Sequence, residues 1–415
     1  MAEYLKDKQY RKFCAYGFLK NQRFYESFII LYFLKQGISY TQIGILYSVR
    51  EILLNLLEIP AGFLSDSLGR KKTMIASFVM YIICFAIFSV GQGYGIYMIA
   101  FIFYALGDAF RTGTHKAMIY DYLRVNGWSE WKVDYYGHTR SWSQKGSAFS
   151  ALIAGGVIFF TGNYRWVFII SLIPAILDLL LIASYPKELD GVTGSFRWEA
   201  LKASFKQTFR DFLTAFRKPA VLRAISNTSI YSGYYKALKD FLQPVLLALA
   251  TTLPFLTSQT EEKRTAIIVG ITYTLIYLIT STASRKSSQF SSLFSSTGSA
   301  LNITLITGLA TGVVSGYLLY LGYPLGSVIF YIIIYIIENI RKPIGMGYTT
   351  DYVKHEILAT ALSAESQLKT IWATIIIFFT GFLADKYSLG ISLIIISSSL
   401  FIFFPLLKAT HYKKT

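Results

Sequence analysis

The stretch Gly107–Tyr122, GDAFRTGTHKAMIYDY, carries Asp108, Arg111, His115, Lys116 and Asp121 inside a long hydrophobic run. A charge at the centre of a bilayer costs roughly 2.5–3.5 kcal/mol on insertion scales, so residues of this kind are kept there for a purpose or are paired. Their chemistry is specific. Arginine offers a planar fork that matches carboxylate, phosphate or sulfate. Histidine and buried carboxylates can take up and release protons in the physiological range. The pattern returns at Glu338, Arg341, Asp351 and Tyr352, which match Asp108, Arg111, Asp121 and Tyr122 in type and spacing. That recurrence points to a duplicated membrane protein whose charges face a shared interior.

The elements that must position these residues are long apolar spans. Of 415 residues 53% are hydrophobic and only 15% charged, against about a quarter charged in an ordinary soluble domain. Many runs reach the roughly 20 residues that cross hydrocarbon. The expected fold is therefore all-α and integral to the membrane. Twelve transmembrane helices are read at 14–34, 41–64, 73–91, 96–123, 136–161, 166–185, 220–250, 263–283, 299–321, 326–350, 358–384 and 390–407. Lys and Arg crowd the termini and one set of loops, whereas the opposite set holds Lys35, Arg165, Lys263, Arg264 and Lys386. Basic loops stay inside, which predicts a multi-pass protein of the cell (inner or plasma) membrane with both termini cytoplasmic. The polar N-terminus leads straight into a span, so no signal peptide is expected.

The middle loop divides the chain into an N-terminal six-helix bundle (1–185), a linker (186–219) and a C-terminal six-helix bundle (220–415). Within the linker Leu201, Phe205, Phe209, Phe212 and Phe216 recur at helical spacing among Lys202, Lys206, Arg210 and Arg217. This reads as an amphipathic helix on the cytoplasmic leaflet, with a partner-protein helix as the alternative. The halves echo one another: Gly17, Lys20 and Arg23 match Gly233, Lys236 and Lys239, and Ile158–Gly162 matches Ile377–Gly381. Parallel six-helix repeats account for both.

Between spans two and three stands Gly62-Phe-Leu-Ser-Asp66-Ser-Leu-Gly69-Arg70-Lys71-Lys72, preceded by Glu58-Ile-Pro60. This resembles the G-x-x-x-D-x-x-G-R-K/R signature of the major facilitator superfamily, and the resemblance extends to the whole two-bundle architecture. Gly62 would permit close helix contact, Gly69 a tight turn, and Asp66 would cap a neighbouring helix, span eleven in the family's fold. Asp121 is a natural partner for Arg70, and Asp351 is its counterpart in the second half. The second copy of the signature is reduced to Ser284-Arg-Lys-Ser-Ser288. Gly381-Phe-Leu-Ala-Asp385 repeats the pattern at the outer end of span eleven, where it reads as coincidence or a helix terminus.

The resemblance implies that spans one, four, seven and ten surround a central cavity, and the sequence independently puts its deepest charges there. Arg23, Arg50, Arg111, Lys239, Arg341 and Tyr234 are the candidate substrate ligands. Glu26, Asp108, His115, Asp240 and Glu338 are the candidates for proton coupling. Ion pairing within a helix (Arg23 with Glu26, Arg111 with Asp108, Arg341 with Glu338) is the competing structural reading. Basic residues outnumber acids in and near the spans, which favours a small-molecule anionic substrate bearing carboxylate, phosphate or sulfate. The expected function is secondary transport by alternating access, coupled to a proton or else to sodium, with the lipid bilayer as surroundings, a monomer as the unit, and no nucleic acid. Proton-driven export of drugs or other amphipathic compounds is the alternative, since the chain holds 31 tyrosines and 32 phenylalanines. Four histidines and two cysteines, Cys14 and Cys84, leave little room for a metal or disulfide framework. No catalytic signature is present, so the chain is read as no enzyme and as needing no cofactor.

Overall fold

A computed structural model describes residues 3–190, 198–199, 201–203, 206–207, 210, 219–254, 256–353 and 355–409. The helices in chain order are α1 (Lys8–Lys20), α2 (Ile29–Lys35), α3 (Tyr40–Leu68), α4 (Arg70–Val90), α5 (Tyr94–Arg111), α6 (Thr114–Val125), α7 (Lys132–Thr161) and α8 (Trp166–Ala183). After the linker come α9 (Pro219–Leu238), α10 (Leu242–Thr252), α11 (Glu261–Arg285), α12 (Thr297–Tyr320), α13 (Pro324–Tyr352), α14 (His355–Lys386) and α15 (Leu389–Ile402). Paired as α1/α2, α5/α6 and α9/α10, they make the twelve membrane spans expected from the sequence. Much of the amphipathic stretch expected in the linker, including Phe205, Phe209, Phe212 and Phe216, lies outside the described residues.

Among the described residues six helices are long and apolar enough to cross a membrane unaided. The others fall short for identifiable reasons. Spans one, four and seven are broken in two, α3 and α7 carry several charges, and α15 has only 14 residues. The exposure pattern of α8 shows which solvent surrounds the bundle. Ser171 and Asp178 are buried on it, while Ile173, Leu177 and Leu180 stand 45–60% exposed. A polar inside and an apolar outside suit hydrocarbon, where water-facing helices would show the reverse.

The three breaks fall where the sequence is charged. Span one leaves helical geometry over 21–28, which contains Arg23 and Glu26. Span four breaks at Thr112 and Gly113, one residue beyond Arg111, and Gly113 has a φ of 82°, a left-handed value that costs glycine little. Span seven passes through a short 3₁₀ turn, Lys239–Phe241, that contains Lys239 and Asp240. Backbone freed inside a membrane must find partners within the protein. In span four, Ser77 Oγ donates to Gly107 O at 2.6 Å and Thr114 Oγ1 to Phe110 O at 3.0 Å. In span seven, the hydroxyls of Tyr331 and Tyr335 donate to the carbonyls of Leu238 and Lys239.

The chain forms two compact units. The first comprises 1–32, 52–204 and 262–274; the second comprises 33–51, 205–261 and 275–415. The internal repeat is visible in how each is packed. A Cβ on Gly17 would sit 2.9 Å from Ser143 Oγ and 3.0 Å from Thr139 O of span five. One on Gly233 would sit 2.9 Å from Lys369 O of span eleven. The matched glycines thus do the same job, letting spans one and five, and spans seven and eleven, touch at the backbone.

Candidate functional site

In the first unit the charges of the broken spans gather behind α1. Arg111 Nη2 lies 2.6 Å from Asp108 Oδ1 and its Nε donates to Tyr81 OH at 3.0 Å, while Tyr81 OH donates to the same carboxylate. Arg23 Nη1 stands 3.6 Å from Glu26 Oε2, a looser pair. Tyr25 OH donates to Tyr104 OH at 3.0 Å. His115 stacks on Tyr16 with ring centroids 3.6 Å apart, and its Nε2 is 3.4 Å from Tyr185 OH. A cavity of about 450 Å³ opens between spans one, four and five. Lys20, Arg111, His115, Lys116 and Arg140 line it, together with polar groups such as Gln144, and no acid lines it among the described residues.

The second unit has a counterpart of about 350 Å³ between spans seven, ten and eleven, the equivalents of one, four and five. Lys236, Arg341, Lys342, Lys369, Glu338 and Glu365 line it. Lys236 is held by Glu51 of α3, which also takes Arg50 Nη2 at 2.8 Å; Arg50 in turn lies over the Tyr47 ring. Lys342 and Lys369 make no hydrogen bond or ion pair among the described residues, so their ammonium groups are uncommitted.

Here the pseudo-symmetry stops. Arg111 pairs with the acid three residues before it, whereas Arg341 makes no ion pair with Glu338. Arg341 is 3% exposed. Its Nη2 donates to Asn227 O at 2.9 Å and Asn227 Oδ1 at 2.7 Å, and its Nη1 to Thr304 Oγ1 at 2.6 Å and to Leu301 O. Its guanidinium also lies over the Tyr231 ring. Its forks are filled by spans seven and nine, so it braces the cavity wall. Glu338 accepts from Ser232 Oγ at 2.8 Å through Oε1, and its Oε2 is buried without a partner. Two other candidates also turn to structural partners. Tyr234 is fully buried, its hydroxyl 2.7 Å from Ser397 Oγ, and Lys239 Nζ pairs with Asp240 Oδ1 at 3.0 Å.

At the ends of the helices, Arg70 forms an ion pair with Asp121, which Arg124 Nη2 also approaches at 3.1 Å. Gly69 makes the turn between α3 and α4 at a φ of 100°. Asp66 is exposed and accepts no hydrogen bond among the described residues of its own unit, and a Cβ on Gly62 would meet open space. Asp351 is exposed without a partner among the described residues. Two other carboxylates cap helices within their own units. Asp190 in the linker accepts Lys71 N at 2.8 Å, at the start of α4. Asp385 accepts Tyr40 N at 2.9 Å and Thr41 N at 2.7 Å, closing the N-terminus of α3. Gly381-Phe-Leu-Ala-Asp385 is therefore a clamp between spans two and eleven in the last turns of α14, a helix terminus and not a coincidence.

One group escaped the sequence reading altogether. Asp178 of α8 is 0% exposed and neither carboxylate oxygen has a hydrogen-bond partner among the described residues. An uncompensated buried carboxylate costs several kcal/mol. Its sequence signal was a single Asp in the most apolar part of span six, one acid with no neighbouring base to draw notice.

Residues 21–365 match the family profile described as Major Facilitator Superfamily. An uncharacterized MFS-type transporter, YxaM, of Bacillus subtilis (strain 168) is 31% identical over 87 residues, a stretch that covers 21% of this chain and 22% of that protein. The fold is similar to that of the nucleoside transporter NupG (TM-score 0.75, 13% identity, 98% of this chain and 100% of that one). It is also similar to a bacterial homolog of the human lysosomal transporter Spinster in an inward-facing, unoccupied conformation (TM-score 0.72, 15% identity, 99% and 100%). A POT family transporter in complex with 5-aminolevulinic acid gives a TM-score of 0.70 at 14% identity, over 98% of both chains.

Proposed function

The chain belongs to the Major Facilitator Superfamily and is thus a multi-pass secondary transporter, and from that premise we propose that its cargo is a small organic anion bearing carboxylate, phosphate or sulfate. The observation that carries the proposal is the cavity of the first unit, where Lys20, Arg111, Lys116 and Arg140 converge with His115 and, among the described residues, no acid joins the lining. Arg111 is held in place by Asp108 and Tyr81 and can offer an anion only its unbonded edge. Lys20 has no such commitment. In the cavity of the second unit Lys342 and Lys369 have no partner among the described residues, which makes them better ligand candidates than Arg341. A lipophilic cation would meet repulsion in the cavity of the first unit.

Energetics restricts the mode of transport. An inside-negative potential opposes anion entry by about 2.3 kcal/mol per charge for each 100 mV, so uptake by alternating access needs symport with a proton or sodium, or exchange for another anion. A proton fits the buried carboxylates. In this reading both termini are cytoplasmic, the protein acts as a monomer in the cell membrane, and 1–185 and 220–415 are its six-helix halves. The test is uptake of labelled organic anions into proteoliposomes under an imposed pH gradient. Gradient-dependent uptake supports the proposal. Efflux of lipophilic cations indifferent to Lys20→Gln and Arg140→Gln would replace it with drug export.

A further inference from the structure

We infer that the outward groove between spans one, five and six holds one anionic phospholipid, its headgroup on Lys145 and an acyl chain in the groove; the inference does not depend on the cargo. The three spans pack on one another within the first unit. The groove has a volume of about 370 Å³ and lies beside the point where span one leaves helical geometry. Phe18 and Phe24 line it from span one, Phe149 and Ile153 from span five, and Ile173 and Leu177 from span six. Phe149, Ile153, Ile173 and Leu177 are all exposed, so the groove opens to the surrounding hydrocarbon.

One side chain in this apolar lining asks for a polar partner. Gln22 is 7% exposed, and neither of its amide atoms has a hydrogen-bond partner among the described residues. It stands between the groove and a smaller cavity of about 30 Å³. A pure hydrocarbon chain would leave that amide unpaired on the groove side. A glycerophospholipid brings ester carbonyls, which can accept from its Nε2.

The levels along α7 match the parts of such a lipid. Counting back from Thr161, roughly 20 residues at about 1.5 Å each cross the hydrocarbon, which puts the near boundary at Trp142. Trp142 is 42% exposed, as a tryptophan of the interfacial belt should be. Lys145, one turn deeper, is exposed and turns its ammonium over the Trp142 ring at 4.5 Å. It makes no hydrogen bond or ion pair among the described residues, so its charge is open to a phosphate. Phe18 links this interface to the groove, with its ring centroid 6.4 Å from those of both Trp142 and Phe149. Phe149 and Ile153 follow Lys145 at helical spacing on the same face of α7. A phosphate at Lys145 therefore puts the ester groups one turn further in and the chain along Phe149 and Ile153. A zwitterionic headgroup would set its own ammonium near Lys145, so an anionic one is preferred.

Native mass spectrometry of the full-length protein in detergent, with dioleoylphosphatidylglycerol or dioleoylphosphatidylcholine added in series, tests the site. The expected result is one retained phosphatidylglycerol, held more tightly than phosphatidylcholine, with a melting point that rises with phosphatidylglycerol alone. Lys145→Gln should weaken phosphatidylglycerol about five-fold, the worth of one lysine at an anionic surface, and level the two lipids. Ile153→Trp, which fills the groove, should remove the adduct. Lys20→Gln, in the basic cavity, should keep it. Equal retention of the two lipids, or a preference that survives Lys145→Gln, overturns the proposal. So does an adduct lost in Lys20→Gln and kept in Ile153→Trp, which gives the lipid to the basic cavity. A dimer without a lipid adduct gives the groove to a second copy and overturns it as well.

Discussion

Replacing Arg341 by methionine separates two roles that the sequence leaves together, cargo ligand and structural brace. The guanidinium donates to Leu301 O, Thr304 Oγ1, Asn227 O and Asn227 Oδ1. Hydrogen bonds to a charged group contribute about 1.5–3 kcal/mol each, but desolvation of the buried cation offsets much of that sum. Breaking such a buried network by removing one member costs about 3–5 kcal/mol. At about 2–4 °C per kcal/mol for a unit of this size, Arg341→Met should melt about 10 °C lower. Lys369→Met is the contrast. Its ammonium lines the same cavity without a described partner, so stability should stay within about 0.5 kcal/mol while the protection given by sulfate is lost. The assay is thermal unfolding of purified protein with and without sulfate. An Arg341→Met variant that melts with the wild type yet loses sulfate protection would refute the bracing role and return Arg341 to the cargo.

Other substitutions test neighbouring parts of the account. Asp385→Asn weakens the cap over Tyr40 N and Thr41 N and should cost about 1 kcal/mol, read as a melting point a few degrees lower. Arg140→Gln should weaken sulfate binding several-fold at low ionic strength, by an amount that shrinks as added salt screens the exposed cation, in a titration at two salt concentrations. Gly17→Leu drives a side chain into Ser143 and the Thr139 carbonyl, and should destabilise by about 1–3 kcal/mol in the same melting assay. Gly233→Leu should do the same against span eleven.

Hydropathy carries the spans because membrane insertion acts on composition, which is written directly in the chain. The repeat was legible for the same reason, and Gly17 and Gly233 turn out to mark matching backbone contacts. Helix breaks were harder to read. Arg23, Arg111 and Lys239 stood out as charges, yet nothing local showed that the helix gives way beside each of them. The freed carbonyls of Leu238 and Lys239 are satisfied by Tyr331 and Tyr335, about ninety positions later, and such pairings have no sequence period. Periodicity also places a residue on a helix without saying which neighbour it meets. Asp108 and Glu338 hold equivalent positions, but one finds its arginine and the other a serine. Asp178 was silent because its meaning lies in what surrounds it across three other helices.

In the proposed function the basic cavities carry an anion across the membrane together with a proton. Proteoliposomes loaded at neutral pH and diluted into acidic buffer with a labelled organic anion test it most directly. Transient accumulation of the anion above its external concentration, abolished by a protonophore and by Lys20→Gln, is the predicted result. Equilibration that ignores the pH gradient, across a panel of carboxylates, phosphates and sulfates, would contradict it.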